Sequence, residues 1–163
     1  MTTEPQSQPS NIDGNHEYEA ALDTLFAQSG RVLRIFDRAL SGAYNVPRRH
    51  ELLRSFLLAN RGARIQIVVH DAANLARDCP RLMNLVRDFS HAIGFNETQA
   101  EAKSVYDPFA VIDERHYVHR FHYDHMRAAQ GTHDVEGAQL LLDRYAELWE
   151  ASAPAVSANV SGL

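Results

Sequence analysis

A chain of 163 residues, 45% hydrophobic and 23% charged, suits one globular domain that buries roughly two thirds of its unfolded surface. A formal charge of −5 and a pI near 6.0 argue against non-specific attraction to DNA, RNA or anionic lipid, which needs a basic face. The lone Cys79 excludes an intrachain disulfide, no apolar run nears the ~20 residues of a membrane span, and no leader-like segment opens the chain, so a cytoplasmic protein with no membrane partner and no cofactor is expected.

Residues 1–16 are rich in Pro, Ser, Gln and Asn and have little to bury, which predicts a disordered tail. Residues 153–163 are small and polar, with Pro154 just past a helix, and predict a second flexible tail, leaving 17–152 as the folded domain. Within it, Ala21, Leu22, Leu25 and Phe26 share one face of a helix over 17–28, and residues 31–36 read as a buried strand. Pro47 suits a first helical position, with Leu53, Phe56 and Leu57 as the stripe of a helix that stops before Gly62. The run Arg64-Ile-Gln-Ile-Val-Val-His70 lacks alternation and predicts a strand covered on both faces. Asp78 is placed to cap a helix whose Leu82, Leu85, Val86, Phe89 and Ile93 keep helical spacing. Strands are expected over 95–102, 105–112 and 117–123, the last two joined by a hairpin at 113–116, before a helix capped by Asp134 that carries Ala138, Leu141, Leu142, Tyr145, Leu148 and Trp149. The order α, β, α, β, α, β, β, β, α predicts an α/β domain of three layers around a mixed sheet.

The stretch Tyr106-Asp107-Pro108-Phe109-Ala110-Val111-Ile112-Asp113, the apolar strand that ends in Asp113 and the closing Tyr145-Ala-Glu-Leu-Trp149 resemble one half of a phospholipase D-like domain. The resemblance sets Asp113 in register with the His-x-Lys-x4-Asp motif, with Tyr106 in place of the histidine nucleophile and Pro108 in place of the phosphate-binding lysine. Lys103 is the single lysine of the chain, so no His-x-Lys pair exists elsewhere. The chain also looks like an uncharacterised family of bacterial proteins with this degenerate half-domain, sometimes fused to acetyltransferases. Such a half-domain implies a pseudoenzyme: a non-catalytic binding or regulatory module that pairs with a second copy or a protein partner. Tyrosine with a pKa of ~10 is a poor nucleophile without a base, and proline carries no charge.

Other residues support alternatives. His70 and Asp71 close the central strand, where open α/β sheets bind ligands, and with Asp113 they could serve a metal-dependent or residual phosphoesterase built in a homodimer. Equally, Asp71 and Asp113 suit turns, where a carboxylate caps free amides. His116, His119, His122 and His125 recur every third residue, but in a strand that spacing alternates faces, and same-face pairs lie ~20 Å apart, too far to share one ion. Arg48, Arg49, Arg54, Arg61 and Arg64 form a candidate anion patch for phosphate or RNA. It lacks interleaved aromatics, so nucleic acid is the less expected partner. Cys79, without a second cysteine nearby, reads as structural.

Overall fold

The computed structural model describes residues 9–40 and 42–155. In chain order it contains β1 (Ser10–Ile12), α1 (Asn15–Phe26), β2 (Val32–Asp37), α2 (Pro47–Ala59), β3 (Arg64–Val69), α3 (Leu75–Asp78), α4 (Pro80–Asp88), β4 (Ile93–Thr98), β5 (Phe109–Ile112), β6 (His116–Arg120), β7 (Ala128–Gly131), α5 (Val135–Glu150) and β8 (Ser152–Pro154). The strands form one sheet in the order β1-β7-β6-β5-β2-β3-β4-β8. β2, β3 and β4 run parallel, and every other pairing is antiparallel.

Period-two alternation along the central strands divides the core. Leu33, Ile35, Ile65, Ile67, Val69 and Phe95 meet the buried faces of α1, α2 and α4. Phe36, Val68, Phe109, Val111 and Tyr117 point the other way, under Ala138, Leu141, Tyr145 and Leu148 of α5. Three layers around a mixed sheet are the expected class. α2 starts with Pro47 at its first turn, and α5 is capped by Asp134, whose side chain accepts from the Gly137 amide at 3.1 Å.

The structure corrects several boundaries. β1 lies inside the stretch expected to be a tail and pairs with β7, while Ser152–Pro154 pairs with β4 and the Ala155 amide bonds to the Phe95 carbonyl, so residues 152–155 extend the sheet. Both edges are short and polar, which gives no hydrophobic pattern; main-chain pairing supplies the order. α1 also begins inside the expected amino-terminal tail, at Asn15, and residues 1–8 and 156–163 of the expected tails lie outside the described residues. The helix expected to run through Ile93 ends at Asp88: Phe89 leaves helical geometry and Ile93 begins β4. Asp78 does not cap it; it ends α3 and pairs with Arg77. The strands expected over 95–102 and 105–112 are trimmed to β4 and β5. The strand expected to reach residue 123 stops at Arg120, whose guanidinium donates to the carbonyls of Tyr123 and His125 at 2.6 Å each and closes a loop instead.

β7 was not expected, because Ala-Ala-Gln-Gly carries no β-branched or aromatic residue. Its place is set from outside: the Tyr117 ring lies across Gly131 and donates its hydroxyl to Asp134 at 2.6 Å. A Cβ on Gly131 would fall 2.6 Å from Tyr117 Cζ and 2.9 Å from its hydroxyl. Replacing Gly131 by Ala is therefore expected to destabilise by ~2 to 3 kcal/mol, the cost of overpacking a buried ring. Urea unfolding checks this, and a loss below ~0.5 kcal/mol would mean the ring moves freely aside.

Candidate functional site

The carboxyl ends of β2, β3 and β4 open into a cleft of about 390 Å³ lined by Arg38, His70, Asp71, Glu97, Lys103, Tyr106 and Tyr123. Arg38, His70, Asp71 and Glu97 reach it because β2, β3 and β4 end there, and Lys103, Tyr106 and Tyr123 come from the loops after β4 and β6. The His70 and Asp71 amides bond to the Arg38 carbonyl at 2.9 and 2.8 Å, which turns the chain out of β3, and the Tyr123 amide bonds to the Tyr106 carbonyl at 3.0 Å.

His70 is buried and both ring nitrogens are engaged: Nε2 lies 2.6 Å from the Val105 carbonyl and Nδ1 lies 2.6 Å from Thr98 Oγ1. A carbonyl only accepts, so Nε2 carries the proton, and in the neutral ring Nδ1 accepts from the threonine hydroxyl. Burial lowers the His70 pKa; the Val105 bond opposes this, and the nearby charges of Lys103 and Arg38 add to it. His70 is thus a neutral strut behind the cleft. Lys103 Nζ donates to the His70 carbonyl, which fixes the ammonium at the mouth. The Arg38 guanidinium lies 4.9 Å from the centre of the Tyr123 ring. Asp71 accepts from the Ala73 amide at 2.9 Å and Glu97 from the Ala72 amide at 2.7 Å, so both carboxylates brace the turn after β3.

The motif positions separate. Tyr106 is 47% exposed, its ring beside His122 and Tyr123 at 5.7 and 5.8 Å. Pro108 is buried, and its carbonyl accepts from the Arg120 amide at 2.8 Å. Asp113 stands at the other end of β5. Its Oδ1 accepts from the amides of Arg31 and Val32, both at 2.9 Å, in a left-handed conformation with φ 52° that an Asp tolerates. His70 and Asp71 therefore sit at one end of the sheet and Asp113 at the other, about 17 Å apart over the length of β2, and one copy of the chain does not bring them together.

The histidine series is dispersed. His116 Nδ1 accepts from the His133 amide at 3.1 Å, and His119 meets Asp107 at 2.8 Å. His122 and His125 lie beyond the end of β6, in the loop rather than in the expected strand, with rings 5.4 Å apart. Among the described residues no three metal-ligating side chains converge. Asp107 also pairs with Arg144; burial alone would raise its pKa, but the His119 hydrogen bond and the Arg144 charge outweigh that and lower it.

The arginine patch does not form as expected. Arg49 is only 4% exposed and pairs with Glu19 and Asp23, each at 3.0 Å, joining α2 to α1. Exposed Arg48 also reaches Asp23, at 3.7 Å, whereas Arg61 and Arg64 lie past the other end of α2. Cys79 is buried, and its thiol donates to the Leu40 carbonyl at 3.3 Å.

Sequence reasoning anticipated His70 and Asp71 from the end of a central strand. It missed Arg38, which follows β2, and Thr98, Lys103 and Val105, which come from the end of β4 and the loop after it. Arg38 carried a signal, since it lies two residues past the strand predicted over 31–36.

An eight-stranded mixed sheet of this topology, with its cleft at the carboxyl ends of the parallel strands, defines a phospholipase D-like fold. Nuc from Salmonella typhimurium, a phospholipase D family member, superposes with a TM-score of 0.64 at 14% identity over 91% of this chain and 99% of its own. NucT from Helicobacter pylori superposes with a TM-score of 0.56 at 13% identity over 92% of this chain and all, 100%, of its own. TrmBL2, an archaeal chromatin protein with a novel mode of DNA binding, gives a TM-score of 0.65 at 15% identity over 94% of this chain and 56% of its own. The model of a domain of unknown function, DUF7931, matches residues 14–159, and the chain belongs to that family. No curated protein matches it significantly. Among the described residues no helix is long and apolar enough to cross a membrane.

Proposed function

We propose that this chain is a non-catalytic phospholipase D-like binding module whose cleft takes a phosphate-type anion, and that it works as a self-associated pair of copies. The observation that carries this reading is the pairing of Arg38 and Lys103 at the mouth of the cleft with a histidine whose two nitrogens are already committed. Two cations can neutralise an oxyanion. With both nitrogens held, His70 neither attacks phosphorus nor protonates a leaving oxygen, and Tyr106 and Pro108 at the motif positions supply neither role. The fold accompanies both kinds of behaviour, since its neighbours include a phospholipase D family member and a chromatin protein that binds DNA.

Calorimetric titration with a simple phosphodiester tests the reading, with sedimentation equilibrium on the same samples. Saturable binding is expected, weakened roughly tenfold by either Lys103→Ala or Arg38→Ala, the effect of losing one charged hydrogen bond of ~1.5 kcal/mol. Binding that ignores both substitutions would sink the assignment of the cleft, and a monomer at all concentrations would sink the pairing.

A second reading, a residual phosphoesterase, draws on one observation: His119 is oriented by Asp107, the residue that follows Tyr106 in the chain. Hydrolysis abolished by His119→Ala would establish it in place of the first.

A further inference from the structure

A second concavity of about 430 Å³ lies on the α5 side of the sheet, towards the amino ends of the parallel strands. Its floor is a row across adjacent strands: Arg34 of β2 is paired in register with Gln66 of β3, and Gln66 with Gly94 of β4. Its wall is α5. The Trp149 ring lies down over Gly94, where an added Cβ would stand 3.2 Å from Trp149 Cη2, and it stacks on Tyr145 with centroids 6.0 Å apart.

The polar groups here are uncommitted. Among the described residues the Arg34 guanidinium takes part in no ion pair or hydrogen bond, and neither does the Gln66 carboxamide. The Tyr145 side chain is 2% exposed, and its hydroxyl is buried with no hydrogen-bond partner among the described residues. A buried hydroxyl of that kind costs ~1 to 3 kcal/mol unless something satisfies it. Arg34 acts electrostatically on it, which places the two groups in one field.

From this convergence we propose a second binding site, for a carboxylate attached to an apolar body, held by Arg34, Gln66 and Tyr145 with the body against Trp149. A planar guanidinium matches a carboxylate in a two-point contact, and the amide and hydroxyl add neutral donors. Glu114, Asp143 and Glu150 also line the concavity and disfavour ligands of higher negative charge, such as a phosphate dianion or a nucleic acid. Arg34 lies on β2 four residues before Arg38, which follows the strand, and so about 13 Å away, and this site stands or falls independently of the phosphate cleft.

Trp149 is the only tryptophan, so its fluorescence reports on this place alone. The test titrates the intact chain with phenylacetate, with N-acetyl-glycyl-phenylalanine and with inorganic phosphate. A saturable change in Trp149 emission with phenylacetate is expected, together with at least tenfold weaker binding in Arg34→Gln and several-fold weaker binding in Tyr145→Phe. A response to the peptide but not to phenylacetate also supports the site and identifies a chain terminus as the source of the carboxylate. Tyr145→Phe removes only the unpaired hydroxyl, so it folds and keeps the comparison valid if Arg34→Gln does not. No saturable response to either carboxylate, or equal affinity in Tyr145→Phe and the parent, overturns the proposal, as does phosphate binding as tightly as phenylacetate.

Discussion

Replacing Asp37 by Asn is expected to leave stability near pH 4 unchanged and to raise it relative to the parent chain by ~4 kcal/mol at pH 8. Asp37 ends β2 on the α1 and α2 side of the sheet, among Tyr18, Tyr44, Arg49 and Arg120. Burial pushes its carboxyl up to about 7, against opposition from the Arg38 amide and the Arg120 charge. The folded state therefore holds a proton that the unfolded chain releases near its ordinary value of 3.8. A raised folded pKa gives stability that is complete below the unfolded value and is lost as pH rises through the window from about 4 to about 7. His70 and His116 carry the opposite sign. Burial lowers both, so their contribution is present above the ordinary histidine value and is lost as pH falls below it. That part cancels when variant and parent are compared at each pH. Asparagine keeps the acceptor for the Arg38 amide, which bonds to Asp37 at 2.7 Å, without the charge. Urea unfolding of both proteins from pH 4 to 8 gives the difference directly. A difference that stays constant with pH would mean Asp37 is ionised in the fold like any surface carboxylate.

Asp113→Ala is expected to cost ~2 to 4 kcal/mol of stability while leaving phosphodiester binding by the folded fraction intact. One carboxylate oxygen satisfies two consecutive main-chain amides, Arg31 and Val32, and so ties the end of β5 to the start of β2. Alanine would orphan the half-buried Val32 amide, leave the exposed Arg31 amide to water, and keep the left-handed φ of 52°, which an alanine tolerates less well than an aspartate. Asparagine can still accept from the amides and suits the same conformation, so Asp113→Asn should retain about half of the stability. Unfolding free energies and the titration described for the cleft separate the two roles. A variant that keeps its stability but loses binding would make Asp113 part of a ligand site instead of a tie between strands.

How far the fold could be read from the residues depended on where each strand found its stability. β2, β3, α2 and α5 carry their own apolar patterns, and Asp134 and Pro47 announce helix starts, so all four were legible. β1, β7 and β8 have no such pattern. Their order comes from main-chain bonds to neighbours remote in sequence and, for β7, from one ring laid over Gly131. α4 was overextended because Ile93 keeps step with Leu82, Leu85 and Val86 although the chain has already turned at Phe89. The site was legible at His70 and Asp71, which their position after a central strand marks out, and at Tyr106, which the altered motif singles out. Sequence spacing could not show that Thr98, Lys103 and Val105 converge on His70, because that convergence belongs to the sheet and to the loop after β4.

The claim that this cleft holds a phosphate group without breaking it is tested most directly by phosphorus NMR of a simple phosphodiester incubated with the protein. The diester resonance is expected to broaden or shift on addition of the parent chain, to return towards its free position with Lys103→Ala, and to yield no monoester signal over days. A growing monoester resonance that disappears with His119→Ala would contradict it, and so would a diester resonance the protein leaves untouched.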